Sequence, residues 1–279
     1  MDIKYKITKL KNNSTEEVND AVSVEEPLEM NLRYNLENKW HIENITITMR
    51  TPGNDEDLIT GFLLNERIIE NINQIEKIEK KGDKVGDYNI NNTVEATISN
   101  TNNLDIGKIK RNFITNSSCG VCGKTSLDAI EVIKDEKLDL SFPKINKEVI
   151  LKAPELLINQ QSEFSRTGGI HASGLINHDG EIIAAREDVG RHNALDKLIG
   201  CALEKKQFDP KDQFITCSGR LNFELVQKVL MTDIGIMIGV GAPTSLAIDL
   251  ANKFDITLIG FVKRDSFNIY TNNKKVKVE

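Results

Sequence analysis

Two cysteines with two residues between them carry the strongest chemical signal in this 279-residue chain. Cys119 and Cys122 lie in Asn116-Ser-Ser-Cys-Gly-Val-Cys-Gly-Lys-Thr-Ser126, among Ser117, Ser118, Gly120 and Gly123. Such small neighbours suit an accessible loop, not a core. Thr125 to Ile133 follow, with Leu127, Ile130 and Ile133 at helical spacing. A thiol at a helix N-terminus, beside Lys124, is expected to ionise readily, and the thiolate is the form that attacks sulfur. Four chemistries compete for the pair. Structural zinc wants four ligands, and neither Cys201, on a helix face, nor Cys217, in a buried strand, has a close partner; a zinc shared across a dimer stays open. A thioredoxin-like exchanger wants a different strand order. A zinc deaminase wants His-x-Glu and Pro-Cys-x-x-Cys, which His171-Ala-Ser and His192-Asn-Ala do not match. In persulfide carriage, one thiolate accepts sulfane sulfur and the other relays or releases it by exchange.

His171 and His192 sit in glycine-containing polar stretches, open between a ligand or proton role and a structural hydrogen bond. His41 and His178 fit strand edges or turns. Asp188, Arg191 and Asn193 are expected to cap and brace the helix after them. Cys201 and Cys217 read as small buried hydrophobes. Lys108, Lys110 and Arg111 fit a solvated strand edge or a basic approach to an anionic ligand.

The elements that must position these residues change character along the chain. Alternation at Ile3–Ile7, Leu28–Tyr34 and Ile45–Met49 predicts strands, and 11–26 reads as a loose acidic connection. Arg50-Thr-Pro-Gly53 is a turn, after which Asn54 or Asp55 can cap a helix carrying Leu58, Ile59, Phe62 and Leu63. Strands follow at 75–80 and 93–98. A helical stretch at 146–163 is expected to be interrupted by Pro154. Asp179-Gly180 signals a hairpin. Strand and helix then alternate, giving an α/β sheet, largely parallel in its second half, with helices on its faces. Three loops after strands gather on one edge of such a sheet: Ser218-Gly-Arg220, Gly239-Val-Gly-Ala-Pro-Thr-Ser245 and Phe261-Val-Lys-Arg-Asp-Ser266. Open α/β folds bind ligands there, and helix N-termini face the same way. A phosphate or nucleotide site is one reading and ordinary tight turns the other, since neither a Walker loop nor G-x-G-x-x-G is present.

Net charge of −6 argues weakly against nucleic acid. No run approaches a membrane span, and the N-terminus lacks the apolar run of a signal peptide, so the expected location is cytoplasmic. Four cysteines in a chain this long do not suggest a disulfide framework.

Ser118-Cys-Gly-Val-Cys-Gly-Lys124, Thr167-Gly-Gly-Ile-His-Ala172, Arg186-Glu-Asp-Val-Gly-Arg-His-Asn-Ala194 with Asp196-Lys197, Ser218-Gly-Arg220, Ala242-Pro-Thr-Ser-Leu-Ala247 and Thr257-Leu-Ile-Gly-Phe261 together resemble the formate dehydrogenase accessory sulfurtransferase family. Arg50-Thr-Pro-Gly53, Gly61-Phe62 and Glu66 fit its N-terminal part, so the resemblance spans roughly residues 26–271. It implies an α/β fold, with a three-layer cytidine-deaminase-like domain over 111–279 and a smaller mostly-β N-terminal domain over 1–110. It implies a sulfurtransferase that takes sulfur from a cysteine desulfurase and passes it to the molybdenum cofactor for formate dehydrogenase. Cys119 would bear the persulfide and Cys122 would relay it. Phe261, Val262, Lys263, Arg264, Asp265 and Ser266 would contact the bis-molybdopterin guanine dinucleotide form of the cofactor. Arg220, His171 and His192 would join them, and a GDP-like nucleotide could occupy the same place. A homodimer is implied, without metal, membrane or nucleic acid. The competing implication is a non-catalytic cofactor-binding chaperone with a structural or redox Cys-x-x-Cys. The chain departs from the family pattern at Arg67, where glycine is expected. Leu221-Asn-Phe223 stands in place of small hydroxyl residues, and Gly239-Val-Gly241 in place of serines.

Overall fold

The computed structural model describes residues 2–85, 90–99 and 144–278. Cys119, Cys122, the helix expected at 125–133, the basic residues 108–111 and the boundary at 110/111 lie outside the described residues. The chain opens with β1 (Asp2–Lys11) paired antiparallel to β2 (Ser14–Ser23). The loose connection expected at 11–26 is therefore corrected to a hairpin. Asn12 and Asn13 both adopt positive φ, at 49° and 62°, as a two-residue type I′ turn requires. Val18 and Val22 face Ile7 and Ile3 across the pair, an apolar column hidden in sequence by the acidic residues between them.

A four-stranded sheet follows, with β3 (Glu26–Leu36), β4 (Lys39–Arg50), β5 (Ile75–Val85) and β6 (Ile90–Ile98) in the order β4-β3-β6-β5. Its inner face carries Leu28, Met30, Leu32 and Tyr34, all buried. Helix α1 (Asp55–Asn65) starts without the expected side-chain cap. Asn54 is left-handed at the cap position, and Asp55 is taken by the buried Arg50, whose Nε donates to it at 2.9 Å. Arg67, with φ of 55°, occupies a left-handed position just beyond α1, which explains why glycine is the residue expected there.

Helix α2 (Lys147–Ile158) follows the short β7 (Ile145–Asn146) and runs through Pro154. The missing N–H removes only one bond, and Ile150, Ala153 and Leu157 keep the helix anchored. The break falls later, at 159–161, before α3 (Ser162–Thr167). Then come β8 (His171–Asn177), β9 (Ile182–Asp188), α4 (Arg191–Glu204), β10 (Gln213–Cys217), α5 (Phe223–Leu230), β11 (Ile236–Gly239), α6 (Ser245–Lys253), β12 (Thr257–Gly260), β13 (Asn268–Ile269) and β14 (Val276–Lys277). Six of these strands form a sheet in the order β13-β12-β11-β10-β8-β9. The pairs β10–β11 and β11–β12 are parallel; the flanking pairs are antiparallel, so the sheet is mixed. The hairpin at Asp179-Gly180 forms as expected, with φ of +86° at Gly180.

Apolar residues of the six-stranded sheet divide between its two faces. Ile176, Phe214, Ile236, Ile238 and Ile259 pack with Ile150 and Ala153 of α2. Leu175, Ile215, Met237 and Leu258 join a larger core with α4, α5 and α6. That core continues without interruption into α1 and the four-stranded sheet. The bridge is the crossing of α1 and α4, which meet backbone to backbone. A methyl at Gly61 would land on the carbonyl of Asp196, and one at Gly200 on the carbonyl of Asp57. Among the described residues, no helix is long and apolar enough to cross a membrane.

Candidate functional site

Three parallel strands ending on one side bring their loops together. Leu221 N donates to Ala242 O at 3.0 Å, Gly241 N to Gly219 O at 3.2 Å, and Phe261 N to Gly241 O at 3.2 Å. The loops after β10, β11 and β12 thus form one continuous edge, as their spacing implies. Backbone approach is close enough that a Cβ at Gly241 would sit 2.9 Å from Arg220 N. Arg220, Lys263, Arg264, Asp265 and Ser266 are exposed along this edge. Phe261 is also exposed, at 43%, and holds a φ of 54°, a conformation rare for a bulky residue and common where a site fixes its backbone. Val262 differs from its neighbours: its side chain is 2% exposed and belongs to the core, so only its backbone can face a ligand.

The two departures from the family pattern on this edge compensate each other. Leu221 is fully buried, and a Cβ at Gly239 would meet its Cγ at 2.7 Å. The larger side chain at 221 fits because 239 has none. Asn222 still caps α5, accepting from Leu225 N at 3.3 Å.

His171 stands at the β8 end of the edge. Its Nδ1 lies 3.5 Å from Ser218 Oγ, and its ring would be met by a Cβ at Gly219 at 3.3 Å. Burial, with the positive charge of Arg191 second, pulls its pKa below the ordinary 6.5. His192 turns to the start of α5, its Nε2 2.8 Å from Glu224 Oε2 and within reach of Asn222. That bond holds the Glu224 carboxyl below its ordinary 4.5. Both histidines therefore belong to one corner, while His178 pairs with Asp212 in a turn and His41 stacks on Tyr34 at 5.4 Å.

Beneath the corner lies Asp188, fully buried, with Lys197 Nζ at 2.7 Å and the N–H groups of Thr51 and Gly190 donating to it. Burial pushes its pKa up against the pull of Lys197. Asp188 and Asn193 brace the helix as expected; Asn193 donates to Met49 O at 2.8 Å. Arg191 does not, and sequence reasoning misses this. Cys201 and Cys217 are buried as expected, and burial raises the Cys217 thiol to about 11. Both are held inside the core, away from any substrate.

His171 gives a pH signature. Below its ordinary value of 6.5 the unfolded residue binds a proton that the folded one refuses. Stability should therefore fall as pH drops through that value, and level off once folded His171 is itself protonated. Urea midpoints from about pH 7.5 to about pH 5 should show this slope, flattened in His171→Asn. Glu224 acts in the same direction, but only below its ordinary 4.5. An unchanged slope in the variant would remove His171 as its source.

A model of the FdhD/NarQ family matches residues 24–277. "Sulfur carrier protein FdhD" of Picrophilus torridus is 42% identical over 259 residues, covering 93% of each chain. The protein of the same name from Sulfurisphaera tokodaii is 37% identical over 273 residues, covering 98% of each. In fold, the chain is similar to the crystal structure of a protein described as a putative formate dehydrogenase accessory protein from Desulfotalea psychrophila, with a TM-score of 0.73, 20% identity and 99% of each chain covered. Matched over nearly its whole length by the family model and by these relatives, the chain belongs to the FdhD/NarQ family.

Proposed function

We propose that this protein is a sulfur carrier that serves formate dehydrogenase, with Cys119 as its persulfide-bearing residue. The observation that carries the reading is a pairing. A chain whose relatives are named sulfur carriers has both a Cys-x-x-Cys and a strand-end edge on which Arg220, Lys263 and Arg264 are exposed. Cys119 thiolate attacks the outer sulfur of a cysteine desulfurase persulfide. A new S–S bond forms at Cys119, the old one breaks, and the desulfurase thiolate leaves with the electron pair. Cys122 thiolate then attacks Cys119 Sγ. The terminal sulfur departs as sulfide, and the cysteines supply its two electrons by closing a disulfide. An external thiol reductant resets the pair.

The acceptor substrate in this reading is the molybdenum cofactor in its guanine dinucleotide form, and a GDP-like nucleotide would occupy the same edge. Arg220, Lys263 and Arg264 would hold its phosphates through charge-assisted hydrogen bonds. Ser266 would add a hydroxyl, and Phe261 an exposed ring to stack on the base. The six-stranded sheet with helices on both faces supports a three-layer, cytidine-deaminase-like description of the second domain. A second copy of the chain is the proposed partner in the resting state.

Loading tests the reading. Incubation with a cysteine desulfurase and cysteine should add about 32 Da, the mass of one sulfur, removable by a thiol reductant. Cys119→Ala should show no adduct. An unmodified wild-type chain that still binds GDP would instead support a cofactor-binding chaperone.

A further inference from the structure

The β1–β2 hairpin stands apart from the rest of the fold. It is a two-stranded sheet of its own, joined to neither larger sheet, and it precedes the residues 24–277 matched by the family model. Ten residues in each strand make a ribbon about 33 Å long. Its hydrogen bonds to the body, among the described residues, are at the root. Arg166 Nε of α3 donates to Asp2 Oδ1 at 2.9 Å, and the hydroxyls of Ser23 and Thr167 lie 2.6 Å apart. A two-stranded ribbon with so little packed on it is marginally stable in water.

Side chains alternate between the two faces of the ribbon. Asp2 and Ser23 are directly opposite each other and share one face, so α3 covers the root of that face. The other face sets Ile3, Tyr5 and Ile7 opposite Val22, Asp20 and Val18, and then Lys9 opposite Glu16. Tyr5 is 51% exposed and Val22 41%, so this apolar column points away from α3 and into solvent.

That face is complementary to itself. A second ribbon turned over the first, about a two-fold axis running along its length, brings each residue over the one it already opposes in its own hairpin. Ile3 meets the partner's Val22, and Ile7 the partner's Val18. Tyr5 meets the partner's Asp20, and Lys9 the partner's Glu16. Aliphatic groups cover aliphatic groups, a phenol meets a carboxylate, and opposite charges coincide. Arms laid antiparallel would instead put Ile3 over Lys11 and Asp20 over Glu16, stranding an apolar side chain and joining like charges. Because α3 lies on the opposite face, both bodies stay on the outside of the pair.

We infer that the hairpin is a dimerisation arm, whose Ile3-Tyr5-Ile7 face stacks on the same face of a second copy with the arms parallel. The inference rests on the second copy proposed above as partner and adds the surface that holds it. Two strands about 4.8 Å apart and about 33 Å long give a footprint on the order of 300 Å² per copy, well below the ~800 Å² of a standard interface. The dimer is therefore weak and in reversible exchange with the monomer.

Sedimentation velocity of the full chain over a range of concentrations tests this. Wild type should pass from monomer to dimer as concentration rises. Lys9→Glu and Glu16→Lys should each weaken self-association about ten-fold, because each sets like charges together twice across the two-fold axis. Mixed, the two variants should associate as wild type does: every contact between positions 9 and 16 across the mixed pair joins opposite charges, while the mismatch inside each hairpin persists. A change in hairpin stability alone cannot produce that rescue. Ile7→Asp, at the centre of the column, should leave only monomer. A wild-type dimer untouched by all three substitutions would overturn the arm and leave a second copy bound elsewhere. Charge variants that weaken the dimer and do not rescue each other would overturn the stacking. A wild type that stays monomeric would overturn the arm and the second-copy partner together, while sulfur loading of Cys119 would still be read separately by mass.

Discussion

Replacing Lys228 with Met should cost about 3–5 kcal/mol of folding stability, the range for breaking a buried ion pair on one side. Lys228 is 7% exposed and Asp196 2%. The ammonium donates to both carboxylate oxygens, at 2.9 and 3.0 Å, and Glu66 lies 3.8 Å away. Asn65 also donates to Asp196, at 2.5 Å. Burial alone would lower the lysine pKa, but the charges of Asp196 and Glu66 outweigh it and leave it raised above 10.5. A raised lysine keeps the pair at full strength below that pH, and the contribution is lost only as pH rises through the folded value. At neutral pH the methionine variant therefore loses all of it. Methionine fills most of the volume and gives up only a distant cation–π contact with Phe62, at 5.8 Å, so most of the cost comes from stranding the Asp196 carboxylate. Adding Asp196→Asn should recover most of the loss, because an amide still accepts from Asn65 and carries no charge to bury. Total stabilities of about 5–15 kcal/mol make the single variant marginal, and urea denaturation reads both proteins. A single-variant cost below about 1 kcal/mol would mean that water reaches this pair and screens it.

The pair also shows what the sequence can and cannot reveal. The periodicities of α1, α4 and α5 are legible, since Leu58, Ile59, Leu63, Leu195, Leu198 and Val229 repeat at helical spacing. Their mutual arrangement is not. Asp196 and Lys228 look like solvated charges on amphipathic helices. Only the crossing of α4 with α1 and α5 buries them together. Gly61 and Gly200 likewise read as weak points in helices, and their value appears only where two backbones touch. The 11–26 segment misleads for the opposite reason: its acidic residues mask a period-two pattern that pairing with β1 makes useful.

The ligand edge is more legible than its electrostatics. Glycine and small residues after each apolar run mark strand-end loops, because close backbone approach and helix starts require them. The sequence does not say which cations are already paired. Lys197 and Arg191 lie six residues apart on one helix, and one is fully engaged by Asp188 while the other has no counter-charge among the described residues. That difference depends on burial and on which side chain the helix start turns toward Asp188, with Thr51 completing the Lys197 site from far away in sequence. One signal is available. Arginine in the first turn of a helix, with no acid there, violates the usual charge preference, and such violations concentrate at functional sites.

Gly200→Ala should destabilise the protein although it improves the helix locally. Alanine is favoured over glycine in a helix interior by about 0.8–1.0 kcal/mol. Against this, the added methyl at 200 would overlap the Asp57 carbonyl, which is backbone and cannot rotate away. Overpacking a rigid contact costs about 1–3 kcal/mol and occasionally more. Relief requires α1 and α4 to separate, and the reciprocal contact at Gly61 with Asp196 must loosen too. With the methyl landing on backbone the clash falls in the upper part of that range and wins, and a net loss of about 1–2 kcal/mol should appear as a fall in melting temperature of several degrees. The same separation shifts α4 along its whole length, including Arg191 and His192 at its start. A Gly200→Ala protein as stable as wild type would show that the two helices do not meet at the backbone.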